Sequence, residues 1–117
     1  MATAEDRAIE AIMDRFGVIE KSLLDGRADA ELDRLLVDLA ALEGSVTSEG
    51  RARIERFKTS FQRAIGVEMD KVANRPGTPS RDHVRLLLGL VKVLYDHEII
   101  DKASRDTLNY DLHCLVL

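Results

Sequence analysis

The segment Leu94–Leu117, LYDHEIIDKASRDTLNYDLHCLVL, gathers two of the three histidines, the single cysteine and five carboxylates. Those residue types hold metals and move protons, so their spacing decides what they can do. HEIID at 97–101 begins like the zinc-protease pattern HExxH, in which two histidines one helical turn apart grip zinc and the glutamate acts as base. Its fifth residue is Asp101, not histidine. The simpler reading is a helical corner. His97 then lies near a helix C-terminus, where positive charge is favoured. Asp101 caps the next helix, and Ile99 with Ile100 plugs the corner. His113 and Cys114 are adjacent, so on a helix they point about 100° apart and do not chelate one ion. Cys114 shares a stripe with Tyr110 and Leu117, and is expected to behave as a small buried hydrophobe. No third group orients a Cys–His pair for nucleophilic attack.

Other short patterns point the same way. His83, in RDHVRLLLG, lacks the Lys-Gly that follows a phosphorelay histidine and sits in a first helical turn. LDRLL at 32–36 spells LxxLL, but any leucine-rich amphipathic helix contains it, and here it reads as core. There is no glycine-rich phosphate loop and no CxxC. The expectation is a chain without catalytic residues, metal or cofactor.

The elements that carry these residues are helical. A chain of 117 residues fits one domain, 1–117. Folding at this size hides roughly 65% of the unfolded surface, enough for a core without disulfides or metal. There is no Trp and there are only three Phe and two Tyr, so Leu, Ile, Val and Ala must fill that core. Both prolines fall in NRPGTPS, 74–80, which leaves long stretches free for helix. Four breaks, at Gly26–Asp29, 44–50, 74–80 and 97–101, separate five helices.

The first runs from about Thr3, as cap, to Asp25, with Ile9, Ile12, Phe16, Ile19 and Leu23 spaced 3, 4, 3, 4. That is the seam of a helix lying along another helix. The second starts with Asp29 as cap and ends at Gly44, with Leu32, Leu35, Leu39 and Leu42 on its seam. The third spans Thr47 to about Ala73 and is unusually long. The fourth opens at Ser80 and contains VRLLLGLVKVLY, apolar on most of its circumference, which predicts a largely buried central helix. The fifth follows Asp101, with Leu108, Leu112 and Leu115 on one stripe. The expected fold is an all-α bundle of about five helices.

Surplus apolar surface on the fourth and fifth helices predicts a homodimer, self-associating through Leu86, Leu90, Val93, Leu112, Leu115, Val116 and Leu117. Charge is segregated: residues 1–44 carry net −6, 45–81 net +4 and 82–117 net −2, for −4 over the chain. The basic block RARIERFK, with Arg63 beyond it, places Arg53, Arg56, Lys58 and Arg63 on the third helix, an expected partner-binding stripe. Overall acidity, few lysines and the lack of an aromatic platform weigh against nucleic acid and for a stripe that faces water or the acidic first helix. A protein with an acidic surface is at least as good a partner as nucleic acid. The first helix is the competing destination for that stripe. No apolar leader opens the chain and no apolar run reaches about 18 residues, so a cytoplasmic protein is expected. Arginine outnumbers lysine 12 to 5, as in GC-rich bacterial genomes. The expected role is a small non-enzymatic regulator or adaptor. Alternatives are a nucleic-acid-associated regulator or an immunity-type inhibitor of a partner enzyme.

Overall fold

The computed structural model describes residues 3–74 and 81–115. Its elements are α1 Ala4–Glu20, α2 Ala28–Glu43, α3 Ser48–Ala73, α4 Arg81–Asp96 and α5 Lys102–Cys114. It is an all-α bundle. The molecule measures 50 × 26 × 20 Å and its radius of gyration is 15.2 Å. A compact chain of this length would have about 13 Å. The elongation follows from α3, whose 26 residues span about 39 Å.

The helix starts follow local chemistry. Thr3 and Asp6 form a reciprocal capping box on α1: Asp6 N–H donates to Thr3 Oγ1 at 3.1 Å and Thr3 N–H to Asp6 Oδ2 at 3.2 Å. Thr47 caps α3 by accepting from Gly50 N–H. Asp101 caps α5 by accepting from Ser104 N–H at 2.7 Å. Ser80, the expected cap of α4, lies outside the described residues.

Two boundaries differ from the sequence reading. α1 stops at Glu20, not Asp25. Ser22, Asp25 and Gly26 are weak helix formers, and the chain turns through three-residue-spaced bonds from Ser22, Asp25 and Ala28 N–H groups to the Ile19, Ser22 and Asp25 carbonyls. Leu23 stays buried within this turn. α2 begins at Ala28, one residue before the expected cap, with Arg27 at the cap position and no side-chain cap bond. Burial of Ala28 pulls it into the helix. Asp29 then lies in the first turn, where its charge still suits the dipole.

The seams expected on α1 and α2 are inside, except that Leu42 at the end of α2 is half-buried. Ile9, Ile12, Phe16 and Ile19 meet Leu32, Leu35, Leu36 and Leu39 in one core with Ile54, Phe57, Phe61 and Ile65 of α3. All three phenylalanines meet edge-to-face, with ring centres 4.6 Å apart for Phe16–Phe61, 4.9 Å for Phe57–Phe61 and 5.8 Å for Phe16–Phe57. α3 packs in turn on α1, α2 and α4, which accounts for its length.

α4 packs on α2, α3 and α5 but buries one stripe rather than most of its surface. Val84, Leu87, Leu90, Val91 and Leu94 face inward. Leu86, Leu88, Val93 and Tyr95 form half-buried shoulders. Leu90 and Leu112, expected at a subunit contact, lie in this chain's own core. Leu86, Val93 and Leu115 are half-buried, and Val116 and Leu117 lie outside the described residues. A second correction concerns α5. Its extensive contact is with α4 alone, so only Leu108 and Leu112 are covered. The stripe read as apolar and inward points outward: Cys114 is exposed and Tyr110 is 71% exposed.

The α4–α5 corner carries an unusual residue. Glu98 has φ +60°, the left-handed region. Its N–H donates to the Tyr95 carbonyl and the Ile99 N–H to the Leu94 carbonyl at 2.9 Å. Those two bonds define a Schellman motif with Glu98 where glycine is usual. Glu98→Gly is therefore expected to stabilise the fold by about 0.5–1 kcal/mol, read as a shift of the urea midpoint at constant slope. An unchanged or lowered midpoint would show that the corner is unstrained.

The carboxylates of two caps set the acid response. The Thr3 N–H and hydroxyl hold Asp6 below its ordinary 3.8, and Ser104 does the same for Asp101. A carboxylate lowered in the folded state stabilises above its unfolded value and ceases to do so as pH falls through the folded one. Stability is thus expected to drop as pH falls below about 4. Asp101→Asn, which keeps a capping oxygen but does not titrate, should make that fall shallower in denaturant titrations. An acid limb that stays as steep would assign the fall to other groups.

Candidate interaction face on the third helix

The four basic residues expected to form the stripe on α3 divide into two pairs. Arg53 Nη1 lies 3.2 Å from Asp6 Oδ1 and Nη2 3.4 Å from Glu10 Oε1, so Arg53 is tied to α1. Lys58 Nζ lies 2.6 Å from Glu43 Oε1 of α2 and 3.0 Å from Glu55 Oε1. Burial works against the Lys58 charge, but its hydrogen bonds to Glu43 and Glu55 outweigh that and hold its pKa above the ordinary 10.5. The same Lys58 hydrogen bond holds Glu55 below its ordinary 4.5. Arg53 and Lys58 are thus used inside the molecule, as the acidic N-terminal region allowed. Arg56 and Arg63 are exposed, and neither makes an ion pair among the described residues.

Helical geometry explains the division. The buried line of α3 is Ile54, Phe57, Phe61 and Ile65. Arg53 and Lys58 flank that line and lean over neighbouring helices. Arg56 and Arg63 lie on the opposite line, two turns or about 10.5 Å apart. Ala52 and Thr59, also exposed, share this outer ridge, and half-exposed Gly66 continues it.

A clasp at the start of α3 fixes its direction beside α1. The Glu5 carboxylate accepts from Thr47 N–H at 2.6 Å and from Thr47 Oγ1 at 2.7 Å. A Cβ on Gly50 would stand 2.7 Å from the Glu5 carboxyl carbon, so a larger residue there would push that carboxylate from its place. Nothing in the local spacing of either segment signals this contact, 42 residues apart.

The corner that suggested metal chemistry is held by other bonds. His97 Nε2 and Asp33 Oδ1 of α2 are 2.6 Å apart, while Asp101 is engaged as the cap of α5. Among the described residues, no three His, Cys, Asp or Glu side chains converge as a metal site. His113 and Cys114 are both exposed. Near them, Arg105 stacks over the Tyr95 ring at 4.2 Å and pairs with Asp106 at 3.0 Å. No helix among the described residues is long and apolar enough to cross a membrane. Comparison with protein-family models, curated proteins and solved structures finds no match to the chain.

Proposed function

We propose that this chain is a non-catalytic protein-binding module, a cytoplasmic regulator or adaptor whose α3 ridge recruits an acidic protein surface. The observation that carries this reading is a contrast along one helix: Arg53 and Lys58 are neutralised internally, while Arg56 and Arg63 are exposed and make no ion pair among the described residues. Unpaired rim charges of this kind steer association and select partners of opposite sign. A protein suits the ridge better than nucleic acid. Two free arginines, with exposed Glu49 and Glu55 on the same helix, offer little to a polyanion whose binding rests on neutralising many phosphates.

In this reading the module works as a homodimer. The supporting observation is α5, whose extensive packing is on α4 alone, with Tyr110 turned to solvent and Leu115 only half-buried. Sedimentation equilibrium at micromolar concentration should find dimer, and only monomer would remove that part. The recruitment itself is tested by capture from host extract with the wild-type chain and with Arg56→Glu plus Arg63→Glu. An acidic protein captured by the first and at least tenfold reduced with the second supports the reading. Capture indifferent to the reversal sinks it, as does a mixed-sequence DNA mobility shift that the reversal abolishes.

A further inference from the structure

One line of α5 runs Ala103, Thr107, Tyr110 and Cys114, at spacings of 4, 3 and 4. All four are exposed, Tyr110 by 71%. They lie on the side away from Leu108 and Leu112, which hold α5 on α4, the one helix against which it packs extensively. None of the four is charged, so a second copy of this chain, whose net charge is −4, meets no like charge head-on along the line. Resting on the homodimer proposed above, we infer that this line is the subunit contact, with α5 of a second copy laid antiparallel along it about a two-fold axis.

The line matches itself. Spacings of 4, 3 and 4 read the same in both directions, so a two-fold axis between Thr107 and Tyr110 sets Ala103 opposite Cys114 of the second copy and Thr107 opposite its Tyr110. Each larger side chain then meets a smaller one, which lets the two helices close on each other. Antiparallel order also places the positive end of each helix dipole beside the negative end of the other. Tyrosine suits such a contact, because its ring supplies apolar area while its hydroxyl stays at the wet rim. The other exposed large apolar side chains, Val18, Val37 and Val67, stand singly on three other helices. An unrelated protein is the poorer occupant: an uncharged line selects no partner by sign, whereas two-fold symmetry supplies the match in spacing and in size. Two facing helices of 13 residues, each about 20 Å long, bury less than the roughly 800 Å² per partner of a standard interface, so the association is expected to be reversible.

The test uses the full chain and a short bismaleimide, which links two thiols held close together. In the antiparallel pair the two Cys114 thiols stand about 16 Å apart along the helices, beyond its reach. Ala103→Cys puts a second thiol directly opposite Cys114 of the other copy. That variant should give a cross-linked dimer at least tenfold more readily than the wild-type chain or Ala52→Cys, an exposed position on α3. Adding Tyr110→Glu should abolish the cross-link, and Tyr110→Glu alone should weaken the dimer at least tenfold in sedimentation equilibrium while leaving the melting curve of the monomer in place. Cross-linking of Ala103→Cys no better than that of Ala52→Cys overturns the inference, as does efficient linkage of the wild-type chain through Cys114 alone. A sedimentation dimer indifferent to Tyr110→Glu also overturns it and leaves the homodimer standing on another face. Only monomer at every concentration removes the homodimer and the inference together.

Discussion

Phe61→Ala is expected to destabilise the fold by about 3–5 kcal/mol, which is much of the 5–15 kcal/mol that holds a typical domain together. Phe61 is 1% exposed and its ring meets both other phenylalanines edge-to-face, one on α1 and one on its own helix. Truncation removes the transfer free energy of a benzyl group and leaves a cavity. It also removes two aromatic contacts worth about 0.5–1.5 kcal/mol each. The site collapses poorly because Ile54, Ile65 and the α1 seam are held by their own neighbours. Urea denaturation should show the midpoint falling with little change in slope. A loss below about 1.5 kcal/mol would mean that α1 and α3 repack freely, against the close-packed core described.

Leu112→Ala should rank next, at about 2–5 kcal/mol, while Leu115→Ala should cost well under half as much. Leu112 is 0% exposed and Leu115 half-buried. The effect of Leu112 should also be local. α5 is anchored on α4 by Leu108 and Leu112 with no other extensive helix contact, so the substitution loosens one element. Amide exchange in α5 should accelerate before that in α2 or α3. Uniform acceleration across the bundle would show α5 to be integral to one cooperative unit. Equal costs for Leu112→Ala and Leu115→Ala would contradict the orientation of α5.

Much of the bundle was legible because it is written at helical period. The 3, 4, 3, 4 seams on α1 and α2 and the caps at Thr3, Thr47 and Asp101 are local signals, and local signals fix helix faces. The failures share a cause: they depend on which element covers a face. A stripe of Tyr110 and Cys114 looks apolar, but α5 has one close neighbour and buries one stripe only. Leu90 and Leu112 look like surplus because their partners come from distant segments. The fourth helix looked apolar nearly all round because Leu86, Leu88, Val93 and Tyr95 are shoulders rather than core. Partner assignment limited the basic stripe too. Helical spacing leaves Arg53 within about 80° of Arg63, but only the fold brings Asp6 and Glu10 within ion-pair distance of the first, while the second makes no ion pair among the described residues. The left-handed Glu98 carries no local mark, since a glutamate there goes against the usual preference for glycine.

The account turns on this division of the basic block, and melting curves of two double variants test it directly. Arg53→Ala with Lys58→Ala removes part-buried ties from α3 to α1 and α2, together worth about 1–2 kcal/mol at the upper end of such pairs. For a domain of this size that lowers the melting temperature by several degrees, about 3–8 °C. Arg56→Ala with Arg63→Ala removes exposed side chains that make no ion pair among the described residues, and the melting temperature should stay within about 1 °C, since substitutions away from such ties are nearly neutral. A drop of several degrees from the second pair, or none from the first, would contradict the division into inward ties at Arg53 and Lys58 and outward charges at Arg56 and Arg63.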